Sequence, residues 1–339
     1  GKTVTAAGMT LGGTKAANYT LSGVNTATAN ITAKDITGNF TAGNKAYDGT
    51  NTATILSRTL TGVLAGDVAN VSGTGGTATF NNENAGIGKT VTATGITLTG
   101  TKAGNYNLTT ISTTTADITG LALTGSFTAD NKVYDGTTAA SVLTRSLTGV
   151  LPADAADVSL TGGTAAFGTA DVANGKTVAS TGMTLGGTKA GNYTLTSVST
   201  ATANITQKDI TGTITASNKI YDGTTSATIL TRALIGVLAG DLANVTSSGG
   251  TATFATADVA TGKTVTATGI TLSGTKAGNY NLTSVATTTA DITKKDITGV
   301  FTADNKTYDG TTSASILTRS LTGVLAADVA DVTLTGGTA

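Results

Sequence analysis

The sequence contains no cysteine, no histidine and no tryptophan. Without cysteine there is no disulfide framework and no thiolate to serve as ligand or nucleophile. Without histidine the commonest general base, the side chain that titrates near neutrality and the principal zinc ligand are all missing. Proline occurs once and aromatic residues make up 4% of the chain, which rules out a large aromatic interior. Charged residues are only 12%, about half the usual share, and 20 basic side chains balance 20 acidic ones. A nucleic-acid surface needs a basic surplus, so no nucleic-acid partner is expected. No apolar run approaches the roughly 20 residues of a membrane-spanning helix. Catalysis would rest on Asp and Lys alone, and these show no clustering that separates an acid from a base. We therefore expect a protein that is not an enzyme, with no catalytic residue, no cofactor and no bound metal.

What is present is glycine, 45 residues of 339, together with threonine and small aliphatic side chains. A hydrophobic share of 39% and a mean hydropathy of +0.14 set the chain apart from disordered sequences. Tyr-Asp-Gly recurs at Tyr47-Asp48-Gly49, Tyr134-Asp135-Gly136, Tyr221-Asp222-Gly223 and Tyr308-Asp309-Gly310, always 87 residues apart. Gly-Lys-Thr-Val recurs at Gly1, Gly88, Gly175 and Gly262, with the same spacing and no insertion or deletion. That period exceeds the roughly 20 to 50 residues of solenoid units and suits small folded domains in series. Alternate copies resemble each other: Asn30 and Asn204 alternate with Asp117 and Asp291, and Met9 and Met183 with Ile96 and Ile270. We place complete repeats at 35–121, 122–208 and 209–295, flanked by the C-terminal part of one at 1–34 and the N-terminal part of another at 296–339. A segment that respects no repeat edge is expected to be a window from a longer array.

Within 122–208, runs rich in Val, Thr, Ile and Ala are punctuated by Gly, Asn and Asp, with no helical period. The pattern predicts strands near 122–129, 139–149, 157–160, 164–168, 176–186, 192–198 and 200–206. Gly162-Gly163 is expected to turn a hairpin between the third and fourth. In the counterpart 89–99, Val91 and Ala93 share one face, and Ile96 and Leu98 resume on the shifted beat after Gly95. A bulge at that glycine would keep both pairs inward. Seven short strands predict an all-β fold of tandem Ig-like antiparallel β-sandwich domains, strung as beads into a rod or filament. Thr-Lys-Ala-Gly-Asn-Tyr ends at Tyr106, Tyr193 and Tyr280, with a variant at Tyr19, and fits the tyrosine corner of such sandwiches. There the phenol opens the sixth strand and its hydroxyl bonds upstream backbone. A β-grasp domain with a short helix near Val150–Val158 is the competing architecture.

Phe-Thr-Ala-Asp-Asn-Lys-Val-Tyr-Asp-Gly-Thr-Thr (127–138), Gly-Lys-Thr-Val (175–178) and Ala-Gly-Asn-Tyr-Thr-Leu (190–195) resemble the YDG-type repeat of large bacterial surface proteins. Filamentous-haemagglutinin-like adhesins are among these. The resemblance spans every copy and implies a secreted or surface-attached, extracellular protein; it brings no catalytic residue with it.

Three sites are weighed against plainer explanations. Tyr-Asp-Gly-Thr is a turn more readily than a binding loop, because Asp-Gly is a turn dipeptide. Asp130 and Asp135 offer carboxylates for calcium, but Gly43 and Ser217 replace Asp130 in the odd copies, and Asp67, Asp154, Asp241 and Asp328 stand isolated. Lys132 with Asn204 or Asp117 has the residue types of an isopeptide crosslink, which also needs a buried protonated carboxyl. The resulting expectation is a semi-rigid stalk or filament segment whose partners are neighbouring repeats of the chain and identical chains. At about 3.3 Å per strand residue each domain spans roughly 25 to 40 Å. The alternative is a set of low-affinity modules for glycans or host proteins that gain strength by multivalency.

Overall fold

In the first complete repeat Ile36, Gly38 and Phe40 point inward while Thr37, Asn39 and Thr41 point outward, the period-two pattern of a half-buried strand. A computed structural model describes residues 1–339. In this repeat it has eight strands: β1 (Lys34–Ala42), β2 (Lys45–Ala46), β3 (Thr52–Ala53), β4 (Ile55–Thr61), β5 (Ser72–Phe80), β6 (Gly86–Thr99), β7 (Tyr106–Ile111) and β8 (Thr114–Thr119). They form two sheets, a three-stranded one in the order β4-β1-β7 and a five-stranded one in the order β2-β8-β6-β5-β3. The second and third repeats carry the same two sheets. The protein is all-β, with three tandem repeats.

Several details depart from the sequence-based expectation. The pairing is mixed: β1 runs antiparallel to β4 but parallel to β7, and β2 runs parallel to β8. The stretch expected as one strand at 139–149 divides into Ala139–Ala140 and Val142–Thr148, which belong to different sheets. Over Val150–Val158, where a β-grasp domain needs a short helix, there is only a 3-10 turn, Pro152–Asp154. Gly162-Gly163 turns no hairpin. Both glycines lie inside one continuous strand, Ser159–Phe167, with φ of 65° and 75°.

The first repeat shows why those glycines are needed. The pairing of β5 with β6 runs Thr74↔Thr97, Gly75↔Ile96, then Thr77↔Thr94, stepping over Gly76 and Gly95 together. Both have positive φ, and a Cβ on Gly76 would run into Ile96. The double kink shifts the inward beat by one residue, so Val91 and Ala93 on one side and Ile96 on the other are all buried.

The chain divides into two compact units: residues 1–127, 145–163 and 182–199 in one, and 128–144, 164–181 and 200–339 in the other. In the first unit, Phe40 of β1 packs on Ala78, Phe80, Val91, Ala93, Ala116 and Ile118 of the five-stranded sheet. The same core continues into Leu123, Val158 and Tyr193 of the second repeat. Their counterparts Ile36, Val71 and Tyr106 gather as a small cluster of their own in the first repeat. Consecutive repeats in this unit therefore share a hydrophobic core and are not separate beads. In the second unit Ile214 packs on Ala252, Phe254, Val265, Ala290 and Ile292 of the third repeat.

The flanking part-repeats pair where their strands allow. Lys2–Val4 lies antiparallel to Ala27–Ala29, and Thr298–Ala303 to Ile316–Thr322. Their side chains stay open: Phe301 is 55% exposed, whereas Phe40 at the same repeat position is 4% exposed.

Candidate functional site: the tyrosine–aspartate junctions

Each Tyr-Asp-Gly forms a tight turn. Asp48 Oδ1 accepts the backbone N–H of Thr50 (2.9 Å), the Thr50 hydroxyl (2.8 Å) and the Lys45 ammonium (2.7 Å). Lys45 Nζ also donates to the Thr50 carbonyl at 2.7 Å and lies 5.9 Å from the centre of the Phe80 ring. The glycine that follows, Gly49, has φ of +76°. Asp135, Asp222 and Asp309 repeat the arrangement with Lys132, Lys219 and Lys306. The hydrogen bond from Lys219 is the chief reason that Asp222 is held down to about 2.

The turn aims its tyrosine at the repeat that follows. Tyr47 is buried and donates its hydroxyl to Oδ2 of Asp154 at 2.8 Å. Tyr193, which opens its strand in the second repeat, donates to the same oxygen at 2.7 Å. The two rings meet edge to face, 5.4 Å between centroids and 74° between planes. Lys189 approaches the other carboxylate oxygen at 3.3 Å. One carboxylate, 3% exposed, thus closes a phenol from each of two repeats.

The next junction is built alike. Tyr134 and Tyr280 donate to Oδ2 of Asp241 at 2.8 and 2.6 Å, with ring centroids 5.5 Å apart. Burial first, then the carboxylate beside each hydroxyl, pushes Tyr134, Tyr193 and Tyr280 up to about 12. Hydrogen bonds from Tyr193 and Tyr47 hold the Asp154 carboxyl below its ordinary value.

A second, polar latch flanks each pair. Asn192 accepts the Ala85 N–H at 2.9 Å and donates to the Asn84 side chain at 3.1 Å. Its counterpart Asn279 accepts the Val172 N–H at 2.8 Å and donates to Asp171 at 2.8 Å, where Lys276 adds an ion pair at 2.6 Å.

The tyrosine-corner residues keep part of the expected geometry. The hydroxyls of Tyr106, Tyr193 and Tyr280 accept backbone N–H groups of Leu64, Leu151 and Leu238, each 42 residues upstream. The strand they open is the seventh of the repeat, not the sixth. Their stronger partner is the aspartate 39 residues upstream, Asp67 in the case of Tyr106. In the sequence Asp67, Asp154, Asp241 and Asp328 stand isolated, with no local pattern that marks them as acceptors. The one available signal was their presence in all four copies at constant distance from both tyrosines.

Tyr221 reaches Asp328 at 2.8 Å. Tyr19 and Tyr308 stand outside such junctions, 74% and 93% exposed. The carboxylate of Asp135 is engaged in its own turn, and no group of three or more carboxylates gathers into a metal site. Lys132 bonds Asp135, Thr137 and Ala139, while the Asn204 side chain accepts the Gly175 N–H and that of Asp117 accepts the Gly88 N–H. The isopeptide partners are thus each committed elsewhere. No helix is long and apolar enough to cross a membrane.

Comparison with curated proteins finds no match. A family model described as the YDG domain matches residues 32–116, 119–203 and 206–290, well over half of the chain. The repeats whose tyrosines and aspartates close these junctions are therefore those of a known family, and the chain belongs to the YDG domain family.

Proposed function

We propose that the chain is a structural spacer: a semi-rigid stalk or filament segment of a bacterial cell-surface or secreted adhesin. In this reading its repeats are Ig-like sandwiches, and it performs no catalysis. The observation that carries the proposal is the buried carboxylate shared by phenols of successive repeats, at Asp154 and again at Asp241. A flexible string of independent domains has no need to bury a charge at its joints, where only full hydrogen bonding offsets the desolvation. A joint of this kind resists bending, which is what a spacer requires. Small-angle scattering of fragments with one, two and three repeats tests this. The maximum dimension should rise by a constant step per repeat, and a compact particle at three repeats would overturn it.

One observation favours self-association as an added property. Leu56, Leu143, Leu230 and Leu317 occupy the same repeat position and are all exposed, at 67%, 59%, 60% and 59%. Leu56 lies on β4, an edge of the three-stranded sheet. Exposed apolar edge strands invite pairing with another chain. Serine at all four positions should abolish any concentration-dependent rise in sedimentation coefficient.

A further inference from the structure

Two phenols that share an acceptor and meet edge to face are set up for chemistry as well as for packing. At each complete junction both hydroxyls point at one carboxylate oxygen, so both rings converge at the ends that carry the oxygen and the ortho carbons. One-electron oxidation of a phenol releases its proton, and a hydrogen-bonded carboxylate is placed to accept it. The partner ring is then already in contact, at 5.4 Å between centroids in one junction and 5.5 Å in the other. Burial keeps competing solutes from the radical. Reaction within such a preformed pair avoids the entropy of a bimolecular encounter.

We propose that Tyr47 with Tyr193, and Tyr134 with Tyr280, are sites of oxidative tyrosine–tyrosine crosslinking that joins one repeat covalently to the next. The co-reactant is a peroxide, the acceptor of two electrons. Each phenol in turn gives up one electron to the oxidant and its hydroxyl proton, through Asp154 or Asp241, to solvent. The two radicals form one carbon–carbon bond between ortho positions. The hydrogens on those carbons shift to the oxygens, which restores both rings and both hydroxyls. The crosslinked pair has lost two hydrogen atoms in all, and the peroxide leaves reduced. The proposal rests on junction geometry and does not require the spacer reading.

The protein supplies its own comparison. Tyr106 and Tyr221 bond the equivalent aspartates Asp67 and Asp328 without a second tyrosine on them, and Tyr19 and Tyr308 are exposed. The test uses the whole chain, dilute, with persulfate and a light-activated ruthenium complex, followed by tryptic digestion and mass spectrometry. Peptide 46–58 should emerge joined to 190–208, and 133–145 joined to 277–294, each pair lighter by two hydrogens and fluorescing as dityrosine. Consumption of Tyr19 and Tyr308 with neither linked pair formed would overturn the proposal. Asp154→Asn keeps an acceptor oxygen but is no base. It should reduce the 46–58/190–208 link several-fold and leave the other pair unchanged. An undiminished link in that variant would overturn the role given to the carboxylate.

Discussion

At the scale of single residues, the junctions depend on one buried carboxylate satisfying two hydroxyls. Tyr134→Phe removes one bond to a charged acceptor and should cost about 1.5–3 kcal/mol in urea unfolding. Asp241→Ala leaves the Tyr134 and Tyr280 hydroxyls buried without their acceptor, and should cost about 3–5 kcal/mol. An alanine variant no less stable than the phenylalanine one would refute the shared-acceptor account.

The same phenols set an alkaline limit. Their ordinary value is 10.0, and folding raises Tyr134, Tyr193 and Tyr280 to about 12. The folded state therefore favours the neutral phenol. This contribution is whole below pH 10 and is lost as pH rises from about 10 to about 12. Melting temperature measured across that window should fall steeply, and Tyr280→Phe should flatten the fall.

At the scale of elements, glycine fixes how each junction residue is delivered. Gly187 follows the long strand Ala173–Gly186 and precedes the turn Ala190–Asn192 that carries Asn192 and leads to Tyr193. Its φ is +106°, and an added Cβ would collide with the Asp157 carbonyl. Gly187→Ala should therefore cost about 2–4 kcal/mol, from a disfavoured backbone and overpacking together. Gly191→Ala, a few residues on, meets nothing within 4 Å and should stay within about 0.5 kcal/mol of the parent. Thermal melts of the two variants check the contrast. The sequence disclosed the kink at Gly95 because the inward beat visibly shifts there. It misled at Gly162-Gly163, because a glycine pair reads as a hairpin turn unless the partner glycine across the sheet, Gly182, is known to kink with it.

At the scale of the whole molecule, the 87-residue period marks repeats, but the compact units do not follow it. One core runs from the five-stranded sheet of the first repeat into Leu123, Val158 and Tyr193 of the second. Stability should accordingly depend on neighbours, as in arrays governed by nearest-neighbour terms. A fragment spanning 35–208 should melt higher than one spanning 35–121, because the shorter one exposes Tyr47 and the core face that Leu123 covers. Equal melting temperatures would mean that the repeats fold independently.

The sequence by itself determined the all-β class, the period and the Tyr-Asp-Gly turns, since these rest on local alternation, on glycine geometry and on side chains bonding their own backbone a few residues away. It also presented Asp154 and both of its tyrosines in every comparison of copies. Only the tertiary structure decided that the three meet, since Tyr47 lies 107 residues before Asp154 and Tyr193 lies 39 after it. A hydrogen bond over such separations leaves no local pattern; it exists because two sheets from successive repeats close on one another and leave a buried carboxylate with two phenols as its partners.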